Sequence, residues 1–200
     1  MNYPKEFNKL IDFYKSLPGI GEKNAERLAF STLEMKEEKL NEFASIISNI
    51  KKSIKKCSIC GNISDNDICL ICSDESRNKN LICVVEDYKN LYSFENSSSF
   101  NGTYHILGGL ISPMDGINPD NLNISSLVKR VKRLDNCEAI LALTSSIEGE
   151  MTMLYLKKCL SEFGVKVTRL SYGVPLGMNL KYMDVLSLNK ALDDRREIEE

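Results

Sequence analysis

Apolar positions between residues 5 and 17 recur at intervals of three and four. Phe7, Leu10, Ile11, Tyr14 and Leu17 fall on one face, so the spacing predicts an amphipathic helix. Pro18 and Gly19 stop it. A second helix is predicted from about Glu22, with Ala25, Leu28 and Ala29 on its apolar face. A longer one follows from about Lys36 to Ile54. Its stripe of Leu40, Phe43, Ala44, Ile47, Ile50 and Ile54 is of the kind that packs against neighbouring helices or a second copy of the chain.

Beyond residue 80 the period changes. LICVVE (81–86), YHIL (104–107), AILAL (139–143) and VKVTRLS (165–171) read as buried strands. DYKNLYSFE (87–95), ISSLVKRVKRL (124–134) and EMTMLYLKKCLSEF (150–163) read as helices. In the second of these, Leu127, Val128, Val131 and Leu134 are expected to point inward and the four basic residues outward. Strands alternating with helices predict a mostly parallel sheet covered on both faces. The tail, LSLNKALDDRREIEE, reads as a short helix with a charged end.

Between the helical and the alternating parts lies CSICGNISDNDICLIC. Cys57, Cys60, Cys69 and Cys72 form two C-x2-C pairs separated by eight residues. Each pair can turn both sulfurs toward one ion, and two pairs complete a tetrahedral thiolate site. A stretch this short and polar has no core of its own, so metal binding would supply its folding free energy. The paired spacing favours one zinc per chain over disulfides or free thiols. It does not by itself choose zinc over iron. Gly61, just after the first pair, suits a positive φ that brings backbone N–H groups toward the sulfurs.

The stretch LPGIGEKNAERLAF joins the first two helices. Gly19 and Gly21 flank Ile20 in a tight turn, giving a helix-hairpin-helix whose backbone N–H groups can face a phosphate near a helix N-terminus. Lys23 and Arg27, four apart, share a face beside that turn. One reading is a sequence-independent DNA contact through Gly19, Gly21, Lys23 and Arg27. The other is an ordinary helical turn with a solvated face, in keeping with Glu22 and Glu26. Lys51, Lys52, Lys55 and Lys56 read as a solvated helix end or as a second phosphate-facing patch.

At the predicted carboxyl ends of the strands stand Glu86 and, in SSIEGE, Glu148 and Glu150. Three such acids could converge on Mg²⁺ or be surface carboxylates at helix N-termini, and residue types alone leave both open. His105, the only histidine, sits mid-strand with no nucleophile pattern around it and reads as structural. The net charge of −2 over 200 residues gives no global sign of nucleic-acid binding, so that reading rests on local patches. Cys83, Cys137 and Cys159 lie singly and read as buried small hydrophobes. Cysteine usage, no signal-like N-terminus and no membrane-length apolar run predict a cytoplasmic protein with no membrane association.

Taken in order, LPGIG, the four cysteines, VVE, YHILGGLISPMDGINP, AILALTSSIEGEMT and YGVPLG resemble the bacterial RecR recombination family over essentially the whole chain. The resemblance implies a helix-hairpin-helix domain (1–55), a zinc element (56–75), a Toprim domain (79–171) and a C-terminal segment (172–200). It implies a DNA-repair mediator, not an enzyme, that forms ring-like dimers or tetramers. Such a mediator binds single- and double-stranded DNA non-specifically. It works with RecO, and often RecF, to help RecA load onto single-stranded DNA coated by SSB. Lys23 and Arg27 match the family's DNA contacts. Glu86, Glu148 and Glu150 match the Toprim acidic group, read as a RecO platform with Mg²⁺ as a further ligand. The chain departs from the family pattern at Asn90, where an aspartate is usual, and at Tyr172, Met178, Asn179 and Lys181. A small Mg²⁺-dependent Toprim nuclease is the rival reading, and a zinc-stabilised interaction module without DNA a third.

Overall fold

The computed structural model describes residues 3–171, 173–175, 177–195 and 197, so Tyr172 lies outside the described residues. The chain divides into two compact units, one running to Ser53 and the other from Ile54.

The first unit holds three helices, α1 (Lys5–Lys15), α2 (Glu22–Leu33) and α3 (Glu37–Ser53). Ala25 and Ala29 are fully buried, and their small size lets α1 approach α2 closely around Ile11. Phe7, Leu10, Tyr14 and Ile20 close the cluster. The Tyr14 and Thr32 hydroxyls meet at 2.7 Å, and Thr32 Oγ1 donates onward to the Leu28 carbonyl at 2.8 Å. The stripe expected to pack on α3 lies open. No residue of α3 is buried, and Phe43, Ile46, Ile47 and Ile50 are exposed.

The second unit begins with a two-stranded antiparallel ribbon, β1 (Lys55–Lys56) and β2 (Ile63–Ser64), and a single helical turn, α4 (Leu70–Ser73). Then come β3 (Asn78–Val85), α5 (Tyr88–Ser97), β4 (Gly102–Ile106), α6 (Ile124–Val131), β5 (Glu138–Leu141), α7 (Ile147–Ser161), β6 (Lys166–Arg169) and α8 (Val185–Asp193). The four longer strands form a parallel sheet in the order β4-β3-β5-β6, with Val84 paired to His105 and to Leu141. Successive side chains of β3 serve opposite faces. Ile82 and Val84 join Leu127, Val131, Leu156 and Leu160 of α6 and α7, while Cys83 and Val85 join Leu91 of α5 and Tyr104.

Three details differ from the sequence reading. Helix α7 starts at Ile147 because Ser146 Oγ accepts from the Gly149 N–H at 3.1 Å, a polar cap that apolar spacing does not register. Cys159 is half-buried, not buried, while burial pushes the Cys83 thiol up to about 12. Arg130 does not point out to solvent. Its guanidinium donates to the Tyr104 carbonyl and to Thr103 Oγ1, both at 2.6 Å.

That last contact belongs to a set. Strand β4 is an edge strand, yet all five of its residues are buried. Its carbonyls at Gly102, Tyr104 and Ile106 accept from Arg77 (3.1 Å), Arg130 (2.6 Å) and Asn123 (3.2 Å). The Ile106 N–H donates to the Cys60 carbonyl at 2.8 Å. Side chains and the cysteine element thus satisfy an edge that would otherwise invite another strand.

His105 lies fully buried on β4, its Nε2 donating to the Asn123 carbonyl at 2.8 Å, while Nδ1 has no partner among the described residues. Desolvation lowers its pKa from 6.5 to about 4. The folded state therefore holds the neutral ring and the unfolded state takes up the proton first. The stability from this group is complete above pH 6.5 and is lost as pH falls toward 4. Denaturant unfolding across that window should show a slope steeper in the wild type than in His105→Gln by up to about 1.4 kcal/mol per pH unit. Equal slopes would remove the histidine as the cause. Comparing the two proteins also cancels proton uptake at the cysteines.

Candidate functional site

The strongest chemistry is in the cysteine element. The β1–β2 ribbon carries Cys57 and Cys60 in its turn, while Cys69 caps α4 and Cys72 lies within it. The Ser58 N–H donates to the Asp67 carbonyl at 2.8 Å and ties the two pairs together. The Cys57 N–H donates to the Asn62 carbonyl at 2.7 Å, and the Gly61 N–H to the Cys57 carbonyl at 2.9 Å. Gly61 has φ +79°, and a Cβ there would sit 3.2 Å from Asn123 Nδ2, so the position needs glycine for conformation and for space.

All four cysteines are buried and unoxidised, with sulfurs within 4.8 Å of one another. The Cys60 and Cys69 sulfurs are 3.6 Å apart. A tetrahedral zinc–thiolate centre requires sulfurs separated by about 3.8 Å, so the cluster fits the ion. Backbone N–H groups of Asn62 and Cys69 point at the sulfurs of Cys60 and Cys57, at 3.4 and 3.3 Å, and would offset thiolate charge. The sulfurs crowd one another. Sharing a proton with Cys69 pushes Cys60 up, and the same contact draws Cys69 down. A divalent cation relieves that competition by letting all four ionise.

The hairpin is equally well defined. Gly19 has φ +78° with open space around its Cα, so the glycine answers a backbone need, not a steric one. Ile20 packs inward against the α1–α2 cluster. Gly21 caps α2 with no side chain bonded to its first-turn N–H groups, which leaves those donors facing outward. Lys23 and Arg27 are exposed on the face opposite Ala25 and Ala29, and neither takes part in an ion pair among the described residues. Glu22 is instead paired with Lys15 at 3.7 Å.

The acids do not assemble into a cation cage. Among the described residues the four cysteines are the only metal-capable group. Glu86 Oε1 accepts from the Thr144 N–H. Glu150 faces Lys190 of α8 at 3.2 Å and Arg169 of β6 at 3.8 Å. Glu148 lies in the first turn of α7 beside its cap. Asn90, where the family pattern has an aspartate, donates its backbone N–H to Asp87 at 2.9 Å as α5 begins. Between the two acids of SSIEGE, Gly149 is buried, and a Cβ there would lie 1.9 Å from the Thr144 carbonyl oxygen. Close approach of two backbones explains the glycine.

Profiles of known families match the chain in four consecutive pieces. Residues 7–51 match the RecR helix-hairpin-helix, 54–74 the RecR four-cysteine zinc finger domain, 80–171 the Toprim domain and 173–196 the RecR C-terminal region. Recombination protein RecR from Staphylococcus aureus strains Newman, Mu3 and USA300 is 46% identical over 198 residues, covering 99% of this chain and 100% of each relative. The chain belongs to the RecR family. The cysteine element of this RecR-family chain is accordingly a zinc site, one per chain, held by Cys57, Cys60, Cys69 and Cys72. No helix among its described residues is long and apolar enough to cross a membrane. Sequence reasoning missed Lys79 and Arg130, which carry no motif. The spacing of Ser126, Lys129, Arg130 and Arg133 on one helical face was the available signal for the latter.

Two outcomes follow for purified protein. Metal analysis should find about one zinc per chain, and Cys72→Ala should lose it together with the ordered structure of residues 54–74; retention of full zinc by the variant would refute the ligand set. Gly149→Ala, a change that favours an ordinary helix by about 1 kcal/mol, should here destabilise by about 1–3 kcal/mol because the Thr144 backbone must move. A denaturation midpoint that rises in this variant would show that the contact yields freely.

Proposed function

We propose that this RecR-family chain acts in recombinational DNA repair as a non-catalytic mediator that binds single- and double-stranded DNA without sequence preference. One observation carries the reading: the α2 N-terminus at Gly21 has no side-chain cap and is flanked by the exposed cations Lys23 and Arg27, which form no ion pair among the described residues. Outward N–H groups and adjacent positive charge suit a phosphate and read no base. The protein partner is RecO, in the family often joined by RecF, and the outcome is RecA loading on single-stranded DNA in the cytoplasm. Glu86, Glu148 and Glu150 serve as a protein-binding face. The pairing of Glu150 with Lys190 and Arg169 supports that role over a Mg²⁺ nuclease, which needs ligands free to meet a cation. The open stripe of Phe43, Ile46, Ile47 and Ile50 supports assembly into a ring-like dimer or tetramer.

The test is a salt series. Lys23→Ala with Arg27→Ala should lower the slope of log affinity against log salt by about 1.8 on duplex DNA, or about 1.4 on single strands, for two phosphates per chain. Zinc content and fold should stay as in the wild type. A double variant that binds both DNAs with unaltered affinity and slope would confine the hairpin to assembly.

A further inference from the structure

Helix α6 has two faces of opposite character. Ile124, Leu127 and Val131 are buried against the sheet. Ser126, Lys129 and Arg130 lie on the other side and, with Arg133 in the turn just after the helix, line a cleft of about 510 Å³ shared with the zinc element. Lys79 brings a fourth cation to the same cleft, and among the described residues no aspartate or glutamate lines it. In a chain of net charge −2, four cations gathered in one cleft outnumber the charge of the one anionic neighbour there, the zinc–thiolate centre reached through Cys72, and the surplus positive field favours an anion.

Two of these cations are already fixed. Arg130 is held by the Tyr104 carbonyl and Thr103 Oγ1, has no carboxylate within 4.0 Å among the described residues, and uses only part of its five-donor fork. Lys79 Nζ donates to the Cys72 carbonyl at 3.0 Å and to the Asp74 carbonyl, so its charge stands at the rim of the zinc element. Lys129 and Arg133 are exposed and in no ion pair among the described residues. Lys132, off this face, sits instead over the Phe163 ring at 4.2 Å. Ile59 and Leu134 give the cleft an apolar wall. Fixed guanidinium, further positive charge and an apolar wall suit a phosphodiester with its sugar better than a bare ion.

We propose that this cleft seats a backbone phosphate of nucleic acid, a second sequence-independent contact on the zinc-bearing unit. The inference rests on the DNA-binding reading above but invokes none of its residues. Lys129→Ala with Arg133→Ala is the variant of choice, because both side chains are exposed and make no bond that the fold needs. Binding of labelled oligothymidylate and of duplex to full-length, zinc-loaded protein should weaken at least about fivefold and show a slope flatter by about 1–2. Lys129→Arg with Arg133→Lys, which keeps both charges, should bind as the wild type does. Unchanged affinity and slope in the alanine variant overturn the proposal, as does loss of binding in the charge-keeping one. If Lys23→Ala with Arg27→Ala abolishes binding while the cleft variant does not, the cleft fails and the hairpin stands. The reverse result upholds the cleft and removes the hairpin, and a wild type that binds no DNA at low salt removes both. Titration with inorganic phosphate separates the remaining source: phosphate binding that Lys129→Ala with Arg133→Ala removes, without any effect on DNA, would make this a free-phosphate site and refute the nucleic-acid assignment.

Discussion

The four sulfurs around one zinc are the constraint on which the second unit depends. Among the described residues, Ile59 and Ile71 are the hydrophobic side chains that join the cysteines in that cluster, too little apolar surface to hold residues 54–74. Once the ion fixes the element, its outer surface becomes a tool. The Cys60 carbonyl accepts from Ile106, Gly61 lies against the same strand, and the Cys72 carbonyl holds Lys79. Arg77, just beyond, forms a fork onto Glu95 at 2.9 and 2.7 Å, and Glu95 also accepts from Tyr104 at 2.7 Å. Burial works the other way, yet Arg77 keeps the Glu95 carboxyl below its usual range. Zinc coordination thus ends in the closure of the sheet's β4 edge.

That closure shows why the fold could be read only in part from the sequence. Helix and strand identities follow from apolar period, and the two cysteine pairs from spacing, because both are local. The roles of Arg77, Arg130 and Asn123 are not local. Each donates to a β4 carbonyl from a position 17 to 26 residues away, and nothing in a run of basic residues says which of them turns inward. The start of α7 escaped for a related reason, since a serine cap is polar and leaves no trace in the hydrophobic pattern. The glycine of SSIEGE looked like part of an acidic motif and is a contact between backbones.

The acidic group illustrates the limit of motif reasoning for the site. Three glutamates at the ends of parallel strands suggest a shared cation when only residue types are in view. Side-chain geometry adds the competing partners: the Thr144 amide for Glu86, and Lys190 with Arg169 for Glu150. Arg169 in turn meets Asp194 at 3.0 Å, so α8 joins the same polar network although none of its residues is buried. Exposed ion pairs of this kind contribute about 0–1 kcal/mol each, enough to orient carboxylates but not to anchor a helix firmly.

Charge sign then separates the surfaces that the two proposals assign. Carboxylates at the ends of β3 and the start of α7 repel phosphate and suit a protein partner. The cations of the hairpin and of the α6 face attract phosphate, and among the described residues no aspartate or glutamate lines the cleft on α6. Near-neutral net charge does not argue against either proposal, because within a Debye length of about 8–10 Å a ligand meets the local field and not the net charge. Adding negative charge beside Arg133 would be felt at the cleft far more than the same charge beside Glu148. The distribution of charge, which the net value of −2 hides, gives the two surfaces opposite preferences for an anionic ligand.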